Sequence, residues 1–373
     1  MKLLQIINSL SPGGAEKLVV ETALQYSKQN FDVSILVLTA PESPLLEKIK
    51  SYSEINFINL NCKNVYNPLN SIKIKKHLKN YDLIHVHLFP CLYWVALASI
   101  IRNSKVPMIF TEHNSFNKRR KNAILKQADK FFYRYYDTVV TISNSVHQNL
   151  EKHLGEGYHL QKIYNGIHTQ TFFNAKPYER EELGLVKSDR ILIQVASFTP
   201  QKDQATLVKS LLNLPDRVKL LLVGKGPELV TMKNLVSSLN LQLRVQFLGV
   251  RNDVPRLLKT ADIVVLSTHY EGLSLSCIEA MACGKPFVAS DVSGVTEVVE
   301  NAGILVEENN PLELSNSICR LMEDSNYSEK ITQNCLKKVQ QFTIDKMVEN
   351  YINLYNEVFQ KSQKQLVAQA SQS

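Results

Sequence analysis

Short apolar runs recur along the chain, at residues 2 to 7, Val33 to Leu38, Ile55 to Leu60, Leu83 to Val86, Met108 to Phe110, Val139 to Ile142 and Gln161 to Tyr164. Between them apolar residues return at helical spacing, as at Leu18, Val19, Thr22 and Ala23. Regular alternation of strand and helix predicts a parallel, doubly wound sheet, which binds ligands at the carboxyl ends of its strands. A polar, charged stretch from Asn174 to Asp189 interrupts the pattern, and Ile191 to Ala196 restarts it. LLLVGKGPE (220 to 228), FLGVRNDV (247 to 254), Ile263 to Leu266 and Phe287 to Ala289 continue it. Amphipathic helices are predicted over 311 to 341 and 344 to 360, the second with an apolar stripe of Tyr351, Leu354, Tyr355 and Val358. The chain therefore divides into an α/β domain at 1–170, another at 171–343, a closing helix at 344–361 and a tail at 362–373. The tail is rich in Gln and Ser, and disorder is expected there.

At 373 residues, 44% hydrophobic and 21% charged, the chain can bury two cores. The six cysteines are dispersed without a C-x-x-C pair, so they are read as reduced packing residues. The first residues enter a strand directly and lack the features of a signal peptide, which suggests a cytoplasmic protein. Leu88 to Ile101 is apolar but contains Pro90 and is shorter than the roughly 20 residues of a membrane span, so a buried helix is expected. Charge changes the picture more. The formal +8 is uneven, with an excess of +9 over residues 1 to 175 and −1 over the rest. It gathers at Lys73, Lys75, Lys76 and Lys79 and at Lys118, Arg119, Arg120 and Lys121, the latter followed by FFYRYY. Two readings stand: a solvated face with core aromatics behind it, or a surface for an anionic membrane or a phosphorylated acceptor. No nucleic-acid recognition motif accompanies the charge, so no nucleic-acid partner is expected.

Candidate chemistry concentrates in STHYEGLSLSCIEAMACGKPFVASDVSGVTEVV, residues 267 to 299. A strand ends before Glu271-Gly272, and a short helix follows with Ile278, Met281 and Ala282 on its apolar side. The first amides of a helix lack partners within it, so Ser274, Leu275 and Ser276 can offer N–H groups and hydroxyls to a diphosphate. Glu271 precedes this helix and Glu279 lies a turn inside it, so the two carboxylates can bracket one ligand. Each alone reads equally as a turn residue or a solvated acid. Gly13 and Gly14, in the loop after the first strand, allow close backbone approach and positive φ before a helix N-terminus. His85 and His87 leave one strand on the same face, and His113 follows the next. Three such histidines also suit a metal, but no ligand motif completes the set and none is expected.

The string EGLSLSCIEAMACGKPFVAS resembles the E-x7-E signature of the retaining family 4 glycosyltransferases, and PGGAE and YNGI resemble that family's glycine loop and interdomain segment. The resemblance covers nearly the whole chain and implies the GT-B fold: two facing Rossmann-like domains with parallel sheets, and a last helix crossing back to the first domain. It implies a nucleoside diphosphate sugar donor, UDP-sugar above all, and a hydroxyl acceptor such as a lipid-linked sugar, with no cofactor or metal. By the same resemblance Glu271 contacts the donor sugar, Glu279 the ribose, His113 the active site near the sugar, and Gly13 and Gly14 the donor phosphates. Gly224 and Gly226 fall in segments around the base. Lys202 lies in a loop where the family carries an Arg and a Lys, but Ser197 stands at the Arg position. That departure keeps two alternatives open: a donor-binding protein with little turnover, or a nucleotide-sugar epimerase. A peripheral position on the cytoplasmic face is the expectation from charge.

Overall fold

The computed structural model describes residues 1–11, 13–114, 120 and 122–370, and it divides into two compact units, Met1–Asn165 with Asp345–Ser373, and Gly166–Ile344. The sequence places this boundary at 170/171, a few residues late. Gly166 marks the reason: a Cβ there would collide with the carbonyl of Thr343, where outgoing and returning strands of chain run side by side. Ile167 N donates to Phe342 O at 2.9 Å, and Ile344 N to Ile167 O at 2.9 Å. The Asn165-Gly166 pair thus serves a close backbone crossing.

The first unit holds β1 (Lys2–Ile7), β2 (Asp32–Val37), β3 (Ile55–Asn59), β4 (Leu83–His87), β5 (Met108–Glu112), β6 (Thr138–Thr141) and β7 (Leu160–Lys162). All pair in parallel, in the order β3-β2-β1-β4-β5-β6-β7. Helices cover both faces, so the inner strands read as continuous apolar runs, and all of β4 is buried. The apolar stretch after β4 forms the helix Cys91–Arg102, with Leu92, Val95, Ala96 and Ala98 in the core.

The closing helix spans Ile344–Ala370. Its predicted stripe is inside, with Tyr351 4%, Leu354 1%, Tyr355 0% and Val358 6% exposed. The expected disorder from residue 362 is overturned up to Ala370. Lys, Gln, Leu and Ala dominate KSQKQLVAQA, all good helix formers, and no Gly or Pro interrupts the turn begun at Ile344.

The second unit holds β8 (Arg190–Val195), β9 (Val218–Val223), β10 (Val245–Gly249), β11 (Ile263–Leu266), β12 (Phe287–Ser290) and β13 (Ile304–Val306). They pair in parallel in the order β10-β9-β8-β11-β12-β13. In both units the order reverses beside the first strand, between β1 and β4 and between β8 and β11. Such switch points open a crevice at the carboxyl ends of the flanking strands.

Candidate active site

In the second unit the loops that leave β8 and β11 are held together by a buried glutamine at the end of β8. Gln194 Nε2 donates to Lys202 O at 3.0 Å and Ser267 O at 3.2 Å, and its Oε1 accepts from the Ser267 hydroxyl at 2.9 Å. Gln201 Nε2 donates to Tyr270 O at 2.6 Å, and His269 N to Gln201 O at 2.8 Å. These bonds bring Lys202 to Glu271. The ammonium binds Glu271 Oε1, with the two side chains 15% and 9% exposed, and the Thr268 hydroxyl lies 3.2 Å from the same oxygen. The turn at Gly294 supports the pair from below. Glu271 N donates to Ser293 O at 2.9 Å, and Gly294 has φ +80° with its Cα against the Glu271 and Gly272 carbonyls, where a Cβ would collide.

Beyond the pair the chain enters the helix Leu275–Ala282, whose first amides face the strand ends. Ser274 was expected to offer its hydroxyl to a ligand. Instead it is 2% exposed and caps the helix, accepting from Cys277 N at 3.4 Å, while Ser276 Oγ lies 3.2 Å away. The amides of Leu275 and Ser276 and the Ser276 hydroxyl remain as candidate anion donors. Glu279 is half-buried one turn on, lining a small pocket with Val195, Leu266 and Ser276. Gly224 and Gly226 flank Lys225 in the loop after β9, and a Cβ on either would collide with the carbonyl of Ala196 or Phe198. Their bare Cα atoms let that loop lie on the loop after β8.

The first unit gathers uncharged groups at the ends of β4 and β5. His85 bridges Tyr355 Oη through Nδ1 and Thr111 Oγ1 through Nε2, each at 2.7 Å, and Thr111 Oγ1 lies 3.0 Å from Tyr351 Oη. His85 and His87 have ring centroids 4.0 Å apart, and His87 Nδ1 lies 3.3 Å from His113 Nε2. Burial pushes His85 down to about 3 and His87 well below the ordinary histidine value. Burial also lowers His113, to about 4, against the opposing pull of the Glu112 carboxylate. His87 Nε2 is buried without a hydrogen-bond partner among the described residues. A bare lone pair is the cheaper atom to leave unpaired, so the His87 proton belongs on Nδ1, facing His113 Nε2. His113 then carries its own proton on Nδ1.

The opposite side of β5 holds Glu112, 3% exposed, whose Oε2 accepts from Arg120 Nη2 and Tyr133 Oη, each at 2.7 Å. This corrects the reading of Arg120 as part of a lipid-facing cluster: its side chain is only 10% exposed and turned inward. The burial of a carboxylate demands a partner, which outweighs solvation of the guanidinium. Lys118, Arg119 and Lys121 lie outside the described residues. Lys73 donates to Leu60 O at 3.0 Å, Lys75 is half-buried, and Lys76 and Lys79 are exposed, with Ile74 and Leu78 buried behind them.

The glycine loop after β1 differs from expectation. Gly13 is extended at φ −162° and caps the helix Gly14–Lys28, so neither it nor Gly14 takes positive φ, and space beside Gly14 is open. Asn8, which the sequence reading passed over, ties this loop to the neighbouring one by donating to Phe89 O at 2.7 Å.

Two family models match consecutive parts of the chain: Glycosyltransferase Family 4 over residues 12–171, and Glycosyl transferases group 1 over residues 175–338. The chain belongs to the family 4 glycosyltransferases. Among its relatives, an N-acetyl-alpha-D-glucosaminyl L-malate synthase of Bacillus anthracis is 28% identical over 288 residues, 75% of this chain and 76% of that protein. A UDP-Gal:alpha-D-GlcNAc-diphosphoundecaprenol alpha-1,3-galactosyltransferase of Escherichia coli is 25% identical over 366 residues, 92% of this chain and 93% of that protein. The crystal structure of Anabaena HepE in complex with UDP matches with a TM-score of 0.84 and 23% identity, covering 96% of this chain and 100% of that one. The two parallel sheets are the Rossmann-like domains of the GT-B fold.

Several residues that shape this glycosyltransferase's site carried weak signals in the sequence. Gln194 is a polar interruption in the strand ILIQV, which marks a buried hydrogen-bonding residue at a strand end. Gly294 reads as a helix opener after Ser293, and its close approach to Glu271 is a long-range contact that no local pattern reports.

Proposed function

We propose that this glycosyltransferase moves a hexosyl unit from a UDP-sugar to a hydroxyl of a lipid-linked sugar, with retention at the anomeric carbon and without a bound metal. The observation that carries the proposal is the Lys202–Glu271 pair beside the N-terminus of the helix Leu275–Ala282, at the switch point of the second sheet. A cation and helix amides there suit a leaving diphosphate, and a half-buried carboxylate one turn on suits ribose hydroxyls. On this reading Glu271 contacts the donor sugar. His113 keeps, as part of the proposal, the role that the family resemblance gives it, a histidine near the donor sugar. The chemistry is same-face substitution. As the bond from C1 to the phosphate oxygen breaks, the acceptor oxygen bonds to C1 and its proton passes to the departing phosphate. The protein positions the reactants and stabilises charge.

The donor choice is supported by HepE, whose structure holds UDP. The acceptor choice is supported by the Escherichia coli relative, named for a diphosphoundecaprenol-linked sugar. Such an acceptor calls for a peripheral position on the inner membrane face. Among the described residues no helix is long and apolar enough to cross a membrane. The helix Ala123–Tyr133 and its C-terminal end leave Ile124 80%, Phe131 50% and Tyr135 37% exposed. These side chains suit shallow insertion beside basic groups.

UDP release from UDP-glucose, UDP-galactose and UDP-N-acetylglucosamine, each with an undecaprenyl-diphosphate-linked sugar or with L-malate, tests the reading. We expect release that depends on the lipid-linked acceptor, and an α-linked product by NMR. Release with L-malate alone would replace the acceptor, and a β-linked product would overturn retention. Interconversion of the sugar without UDP release would identify an epimerase, and donor binding without either would identify a binding protein.

A further inference from the structure

The donor half of the site is short of positive charge. Lys202 is paired with Glu271, so together they present no net charge to a diphosphate, and Ser197 is uncharged. The loops leaving the carboxyl ends of the second sheet contain four groups able to be cationic: Lys202, Lys225, Arg251 and His269. Arg251 is held by Asp253 through bonds of 2.8 and 2.6 Å, and His269 Nδ1 lies 3.6 Å from Glu308. Among the described residues, Lys225 is the one of the four whose side chain is exposed and makes no ion pair or hydrogen bond.

Its backbone is fixed against the loop that contains Ser197. Phe198 N donates to Lys225 O at 3.0 Å, and Gly224 N donates to Gly249 O at 2.8 Å. Gly224 and Gly226 lie on either side, each too close to the 196–198 backbone to carry a Cβ. Lys225 is therefore the position in this contact that supplies a side chain, on a strand-end loop that the contact holds in place. Holding the backbone in place leaves only the lysine stem to be ordered when an anion binds.

We propose that Lys225 is the second cation of the donor site, neutralising the diphosphate from the β9 loop where Ser197 cannot do so from the β8 loop. The proposal rests on the nucleotide-sugar reading above. It makes Lys225 a donor-binding residue that discriminates a nucleoside diphosphate from the nucleoside.

Calorimetric binding of UDP and of uridine to the wild-type protein, Lys225→Ala and Lys225→Arg tests it. The exposed position makes all three foldable. Loss of a charge-assisted contact is expected to weaken UDP about tenfold or more in Lys225→Ala, with uridine unchanged and UDP binding kept in Lys225→Arg. Unchanged UDP affinity in Lys225→Ala, or equal losses for UDP and uridine, would overturn it, as would an arginine variant as weak as the alanine one. A wild-type protein that binds UDP and transfers sugar while Lys225→Ala binds UDP normally sinks this proposal alone. A wild-type protein that binds no UDP sinks the nucleotide-sugar reading with it.

Discussion

The two sheets share a strand order around their first strand, yet their switch points are furnished in opposite ways. At the end of β4 and β5 the side chains are imidazoles and hydroxyls, buried and held neutral by burial. Beside β8 and β11 they are an ammonium and a carboxylate, nearly as buried but paired. Burial of a charge demands a partner, whereas burial of an imidazole can be met by loss of its proton. The first unit therefore offers directional hydrogen bonds between uncharged groups, and the second an ammonium and a carboxylate paired with each other. On the proposed reading the leaving diphosphate belongs to the second unit, where the ammonium and the helix N-terminus lie.

The largest expected effect breaks the contrast at its charged side. Lys202→Ala removes the cation and leaves Glu271 buried without its ammonium, so turnover is expected to fall by about 100- to 1,000-fold. Lys202→Ala with Glu271→Gln should be no less stable than Lys202→Ala alone, because the unpaired buried carboxylate is then gone. Urea unfolding checks the second and steady-state kinetics the first, and a Lys202→Ala enzyme with normal turnover would place the leaving group elsewhere.

A smaller effect sharpens the neutral side. His85 titrates near 3 in the folded unit and near 6.5 in an unfolded chain, so between these values the unfolded chain binds a proton that the folded one does not. Stability from this group is thus fully present above about pH 6.5 and is lost as pH falls, by about 1.4 kcal/mol per pH unit. Urea unfolding at pH 7 and pH 5 should show a drop of about 2 kcal/mol more in the wild type than in His85→Gln. Equal drops would mean that His85 is protonated inside the fold.

The smallest effect concerns the surfaces rather than the sites, and again sets one unit against the other. The basic excess lies in the first half of the chain, where Ile124, Phe131 and Tyr135 are exposed. Each basic group near an anionic leaflet contributes about 1 kcal/mol. Co-sedimentation with anionic vesicles should fall with added salt and with Lys76→Glu and Lys79→Glu, and should weaken further with Ile124→Ser and Phe131→Ser. Equal binding to neutral vesicles would remove electrostatic docking.

The architecture was legible in the sequence because strands buried on both faces read as apolar runs, and twelve of the thirteen strands among the described residues overlap such runs, the short β13 being the one not read. The stripe of the closing helix was equally plain from its spacing. The individual site residues were less so. Glu271 and Lys202 stand far apart in the chain, and their pairing depends on Gln194 and Gly294, whose roles arise only when distant loops meet. Arg120 shows the reverse error, since a basic run predicts a solvated face, whereas a neighbouring buried carboxylate draws one member inward. Gly13 and Gly14 looked like positions of positive φ and adopt ordinary geometry.

The hydrogen bonds of His85 to Tyr355 and of Thr111 to Tyr351 have a consequence for the order in which the protein is made. During synthesis the strands that carry His85 and Thr111 emerge long before the residues that cap them, with the whole of the second unit in between. The second unit is continuous and can close on itself as soon as Ile344 has left the ribosome. The first cannot. Its imidazole cluster stays open to water until the final helix arrives, so a ribosome stalled within residues 166–344 would carry an N-terminal half whose polar centre is unfinished, and the later-made unit would be the first to reach its final form.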